Sequence, residues 1–271
     1  MVRIAAVLAL GVLAYVGAMM LTDVALVLVD TPLPVVDAYA AIAGYAVFIA
    51  TYGVVRRRRL QADLLPLLGA RPWTMAVRSL AGAALAYLLI VAMIGLAHGA
   101  PHLDRGFDPG NLVALVFILL AAATEEVLCR GYLFAMARQR FGAGTAIVVA
   151  ALVFALLHGR AALAGWDSFT AFFTFGTALT MLALRFGSLL PGIVAHGVFN
   201  YCTGLRGLRL PPPLDASGIV TYEGGSPEHA YLASQILVGL AVSVGLIPYV
   251  VRHREHAKTA REAANAAEAR S

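Results

Sequence analysis

Charge is what this chain lacks most. Only 13% of its 271 residues are Asp, Glu, Lys or Arg, against about a quarter in a typical soluble domain. Hydrophobic residues reach 61%. So little polar surface cannot cover a water-soluble globule, and disorder needs the opposite composition. Cysteine is nearly absent too. Cys129 and Cys202 both lie in apolar stretches, so a disulfide framework is excluded and two buried free thiols are expected. Lysine is reduced to Lys258 among 20 basic residues. The formal net charge of +5 is spread along an apolar chain, so no nucleic-acid partner is expected. There is no internal repeat and no collagen-type glycine period.

What the chain has is long apolar runs. Eight are read, over 4–28, 35–55, 80–98, 112–137, 143–163, 169–184, 189–203 and 231–251. A bilayer span needs about 20 apolar residues, and only helices and closed barrels satisfy the backbone in lipid. The expected fold is therefore all-α, a polytopic membrane helix bundle of about eight transmembrane helices. The first run is longer than the 7–15-residue apolar stretch of a signal peptide, and only Arg3 precedes it, so it reads as a retained span. Residues 60–79 read as a strip lying along the membrane interface, and 204–230, with Pro211-Pro212-Pro213, as an exposed loop. The division is a membrane domain over 1–250 and a charged tail over 251–271, solvated or a frayed helix.

Basic residues orient the bundle. With eight crossings, fifteen Arg or Lys fall on the side of both termini and four on the other, with Arg130 inside a span. The positive-inside rule then places both termini in the cytoplasm of a multi-pass cell-membrane protein.

Against this background the ionisable residues inside spans stand out. The fourth span carries Thr124-Glu125-Glu126-Val127-Leu128-Cys129-Arg130-Gly131. One Asp or Arg at a helix centre costs roughly 2.5–3.5 kcal/mol, so three such groups taken singly cost on the order of 8–10 kcal/mol. Glu126 and Arg130 are i and i+4 and share a face. Glu125 is rotated by about 100° and points elsewhere, a carboxylate left over beside a neutralised pair. The fifth span places Phe154 and His158 at i and i+4, and the seventh places His196 and Asn200 at the same spacing. Each has a bland reading: a structural ion pair, a packed histidine, an interhelical hydrogen bond.

Together the three elements are Glu-Glu-x-x-x-Arg, Phe-x-x-x-His and His-x-x-x-Asn, on successive polar-bearing spans. This resembles the CAAX-protease and bacteriocin-processing (CPBP, Abi) family of intramembrane endopeptidases, over a core of about 112–203. The flanks Gly131-Tyr132-Leu133 and Ser188-Leu189-Leu190-Pro191-Gly192, and the upstream Leu68-Gly69-Ala70-Arg71-Pro72, are similar to the family as well. Cys129 departs from it, where many members have Phe before the motif arginine.

The resemblance implies hydrolysis of a peptide bond in a membrane-associated protein or peptide, with prenylated chains as one substrate class and the lipid bilayer as the other partner. It implies Glu125 as the base that activates water, His158 as the residue that orients it, and His196 and Asn200 as donors to the oxyanion. Glu126 and Arg130 hold the fourth span, and Phe154 packs under His158. No cofactor is favoured. The alternative is zinc on Glu125, His158 and His196, a two-His, one-carboxylate set with an open position; the His-Glu-x-x-His signature is absent. Two other readings stay open. One is a non-catalytic immunity or scaffold protein of the same fold. The other is a proton-coupled transporter, which would use intramembrane Glu and His but lacks a repeat-related pair of broken helices.

Overall fold

Apolar runs fold as helices here because hydrocarbon offers no partner for a free backbone N–H or C=O. The computed structural model describes residues 2–28, 33–57, 64–98, 101–103, 110–203, 220–222 and 228–268. In chain order it contains α1 (Val2–Leu28), α2 (Leu33–Arg57), α3 (Pro72–His98), the short strand β1 (Pro101–Leu103), α4 (Gly110–Glu126) and a π-helical turn, Val127–Leu133. Then follow α5 (Phe134–Leu157), α6 (Gly159–Ala162), α7 (Trp166–Phe186), α8 (Leu190–Thr203), the strand β2 (Val220–Tyr222) and α9 (Glu228–Glu268). All eight apolar runs lie mainly on helices, as an all-α polytopic bundle requires.

Among the described residues, five helices are long and apolar enough to cross a membrane by length and composition. One of them, Leu115–Leu157, is 43 residues long and combines two of the expected runs. Gly142 breaks it, at φ 81° and ψ 170°. That backbone region suits glycine, so the polypeptide turns there rather than continuing as one rod. α8 has 14 residues, or about 21 Å, short of a ~30 Å hydrocarbon core. It packs against α3, α4 and α7 and acts as the inner helix of the bundle.

Three boundaries differ from the sequence reading. α3 begins at Pro72 rather than at 80, because proline is pre-organised for the first helical turn. What remains of the expected interfacial strip, 64–71, is irregular and folds over the end of the bundle. Tyr52 donates its hydroxyl to the Leu65 carbonyl at 2.6 Å, and Arg56 Nε donates to the Leu64 carbonyl at 2.7 Å. Leu64 is buried in the cluster with Phe48, Tyr52, Val127 and Tyr132. Residues 60–63 lie outside the described ones. The second difference is that the fifth run stops at Leu157. His158 forms a turn, and Gly159, at φ 51°, leads into α6. Third, part of the expected 204–230 loop is ordered: β2 pairs antiparallel with β1, Pro101 opposite Tyr222, and α9 starts at Glu228. The rest of that loop is outside the described residues. α9 also runs on into the polar tail, with Pro248 inside it. Both cysteines are free; Cys129 is buried, as expected, but Cys202 is only partly so.

Candidate active site

The site is built on four helices. α4 ends with Glu125 and Glu126, and the chain passes directly into the π-helical turn that holds Arg130. A π-turn widens the helix by one residue and is frequent at functional sites. The sequence reading expected an uninterrupted helix here. Glu126 and Arg130 are nonetheless brought together: Arg130 Nη1 donates to Glu126 Oε1 at 2.8 Å, and both side chains are fully buried. Glu125 points elsewhere, as its rotation requires, and its side chain keeps 32% of its exposure.

Arg130 is held on every side. Nε donates to the Thr180 hydroxyl at 3.1 Å and Nη2 to the Gly176 carbonyl at 2.6 Å. The guanidinium lies 4.5 Å from the Phe154 ring centroid. Thr180 in turn donates to the Gly176 carbonyl at 2.8 Å. A Cβ on Gly176 would lie 2.9 Å from Phe154 Cδ1, so a larger residue there would push α7 away from Arg130. The sequence reading missed this α7 contribution. Its signal was the Gly176-x-x-x-Thr180 spacing, which allows close approach between membrane helices.

His158, at the C-terminal end of α5, and His196, on α8, face Glu125. Their Nε2 atoms lie 3.8 Å and 3.9 Å from Glu125 Oε2. Phe154 packs under His158 at 4.7 Å between ring centroids, and Phe172 stacks on the other side at 4.2 Å. His196 is buried edge-on between Phe154 and Phe175. Asn200 follows one turn later on α8, partly buried, and has a partner of its own. The α7–α8 turn is pinned by the 64–71 segment. Leu189 and Leu190 donate their N–H groups to the Pro66 and Leu67 carbonyls at 2.9 Å and 3.0 Å, and Ser188 Oγ donates to Leu67 at 3.0 Å. These contacts tie Pro66 and Leu67, just before the upstream Leu68–Pro72 motif, to the Ser188–Gly192 motif.

The outer ring nitrogens fix the tautomers. His158 Nδ1 is 2.8 Å from the Phe154 carbonyl. A carbonyl only accepts, so Nδ1 carries the proton and Nε2 of the neutral ring is a bare acceptor. His196 Nδ1 is 3.2 Å from Glu126 Oε1, the oxygen that already accepts from Arg130, and the same assignment follows. Three acceptors, Glu125 Oε2 and the two Nε2 atoms, therefore face one another. Glu125 Oε2 and His196 Nε2 are buried without a hydrogen-bond partner among the described residues. Orphaned acceptors of this kind are costly unless something donates to them.

The two Nε2 atoms and the Glu125 carboxylate lie within 4.8 Å of one another. The donor set fits a tetrahedral zinc site with one open position. The fit extends outward, since each ring's other nitrogen is held by an oxygen, as metal-bound histidines require.

Glu126 carries a further constraint. A Cβ on Gly192 would lie 2.7 Å from Glu126 Oε2, and Glu126 is tied to both Arg130 and His196. Gly192→Ala is therefore expected to destabilise by about 1–3 kcal/mol through overpacking. It is also expected to displace His196; a thermal melt of the purified protein checks the loss of stability. An unchanged melting temperature would mean that Glu126 relaxes away from α8 freely.

A helical membrane bundle with a carboxylate–imidazole centre enclosed by four helices defines the class. Within it, residues 107–202 match the family described as Type II CAAX prenyl endopeptidase Rce1-like, a segment that contains every motif residue from Glu125 to Asn200. That segment is similar to the CAAX-type intramembrane proteases. No curated protein and no solved structure matches the chain.

Proposed function

We propose that this protein is an intramembrane endopeptidase that hydrolyses a peptide bond of a membrane-associated protein or peptide, with prenylated chains among its substrates. The observation that carries this reading is the convergence of Glu125 Oε2, His158 Nε2 and His196 Nε2 with no donor between them. A water molecule is the smallest donor that fits such a point. It gives one hydrogen to Glu125 and the other to an imidazole, and its lone pair is left for the scissile carbonyl.

Glu125 takes a proton as the water oxygen bonds to the carbonyl carbon. The oxyanion that forms needs donors aimed at it. The Asn200 amide supplies one. His196, a bare acceptor at Nε2 while neutral, supplies another once Nε2 has taken up a proton from bulk water, with the Glu126 carboxylate at Nδ1 to balance the positive ring. The proton then passes from Glu125, with His158 beside it, to the leaving nitrogen as the C–N bond breaks. Arg130, Thr180 and Gly176 keep Glu126, and through it His196, in register. Both termini are cytoplasmic in this reading.

A second reading is favoured by the oxygen partners at both Nδ1 atoms. In it Glu125, His158 and His196 hold zinc, which would polarise the carbonyl and lower the pKa of water. Metal analysis of active protein separates the two. The glutamate reading expects less than stoichiometric zinc and activity that survives chelation; one zinc per chain, with activity lost to chelator and restored by zinc, overturns it.

The experiment that tests proteolysis itself is terminal-peptide mass spectrometry on membranes holding the wild type or Glu125→Gln at matched abundance. New termini confined to the wild type name the substrate and cut site. Identical profiles from two folded proteins would leave the immunity or scaffold reading in its place.

A further inference from the structure

Behind the aromatic wall of the site lies a separate cavity of about 200 Å³ between α3, α7, α8 and α9. Its shape is set by the helices that line it. Along α3 it runs from Arg78 to Ile90, twelve residues or about 18 Å. Along α7 it runs from Phe175 to Phe186, about 16 Å. Half of a ~30 Å hydrocarbon core is about 15 Å, so the slot has the length of one leaflet. One end is closed where Ile90 packs with Phe199 and Phe175. The walls are mostly small or aliphatic, as at Gly82, Ala86 and Val238, with the polar side chains of Ser79 and Gln235 and three phenylalanine rings among them.

The charge lies at the other end. Arg78 lines the slot six residues into α3 and is exposed. It makes no hydrogen bond or ion pair with another of the described residues. A guanidinium with no partner among the described residues, at the mouth of an apolar, leaflet-long slot, matches an anionic head on an alkyl chain: the head meets Arg78 and the chain lies in the slot. Guanidinium is well suited to phosphate oxygens.

We infer that this slot is a binding site for one acyl chain of an anionic phospholipid, held by Arg78 at its phosphate. The occupant is a bilayer lipid, not the lipid group of a substrate. The far wall of the slot is Phe175, whose ring meets His196 edge-on at 5.6 Å. Ala195, the residue before His196, also lines it. A filled slot therefore backs the ring that flanks the candidate site without touching Glu125 or His158.

Gly82 offers a way to fill the slot. A Cβ there meets nothing within 4 Å, so the side chain of Gly82→Leu enters open space, and leucine is a better helix former than glycine. The test uses full-length protein, delipidated in detergent and loaded from vesicles of phosphatidylcholine alone or with phosphatidylglycerol added. Native mass spectrometry then reads the lipid bound per chain. The wild type is expected to retain one phosphatidylglycerol in preference to phosphatidylcholine. Gly82→Leu is expected to lose that retention by at least about tenfold with its circular dichroism unchanged. Arg78→Gln, an exposed change that leaves folding intact, is expected to hold the two lipids alike. Equal retention by the wild type and Gly82→Leu overturns the site. Absence of headgroup preference in the wild type overturns the role of Arg78. Displacement of the bound phospholipid by an added prenylated peptide assigns the slot to substrate and overturns the inference. None of these readouts involves cleavage, so they stand or fall apart from the proposed activity.

Discussion

Glu125→Gln is expected to reduce cleavage by about 10²–10⁴-fold or more, the span attributed to loss of a general base, while the protein remains folded and abundant. The stability half of this follows from the hydrogen-bond geometry. In the wild type the carboxylate oxygen lies 3.8–3.9 Å from two imidazole nitrogens that have no proton to offer in their neutral tautomer. Glutamine brings an amide N–H₂ to the same position at nearly the same volume. It can donate where the glutamate could only accept, so the melting temperature is expected to hold or to rise. The catalytic half follows from the loss of the proton acceptor, because an amide oxygen is far too weak a base to deprotonate water. Cleavage of a fluorogenic membrane peptide in liposomes, with a thermal melt on the same preparation, separates the two. Activity within about tenfold of wild type would remove Glu125 from the base role. A collapsed melting temperature would make it structural instead.

The second large effect is at Arg130. Arg130→Ala leaves Glu126 fully buried with its cation gone, and breaking a buried pair in this way costs about 3–5 kcal/mol. Total stabilities of about 5–15 kcal/mol make that a large fraction. The truncation also empties the contact with the Phe154 ring and removes the donors to Thr180 and Gly176. Abundance in membranes and the melting temperature should both fall. Arg130→Lys is expected to recover only part of the loss, since an ammonium keeps the charge but not the planar fork that reaches three acceptors at once. Adding Glu126→Gln to Arg130→Ala should restore stability relative to the single change, because it removes the unpaired charge; a double-mutant cycle measures this coupling. Wild-type abundance and melting temperature for Arg130→Ala would mean that the ion pair contributes nothing to the fold.

Much of the site was legible because helical spacing is rigid. Glu126 and Arg130, Phe154 and His158, and His196 and Asn200 each sit four residues apart, which puts each pair on one face wherever the helix goes. The rotation of Glu125 away from Glu126 follows from the same geometry. The π-turn after Glu126 was not legible, since no local residue pattern announces an extra residue per turn. Nor was the part played by Gly176 and Thr180. Their chemistry is a backbone carbonyl and a hydroxyl in an apolar helix, and it becomes visible only when Arg130 lies against them.

The sequence by itself determined that the chain is a polytopic helical membrane protein, because 61% hydrophobic composition in long runs leaves no other way to satisfy the backbone. It also determined which polar residues needed an explanation, because each is expensive in hydrocarbon. Only the tertiary structure decided which nitrogen of each imidazole faces Glu125. That depends on the Phe154 carbonyl and the Glu126 carboxylate, one provided by the same helix turn and the other by a helix seventy residues away. It also decided that the 64–71 segment braces the start of α8 and that an apolar slot lies behind Phe175. These are contacts between segments distant in sequence. The covalent chain sets the faces of each helix, but the packing of one helix on another fixes which faces meet.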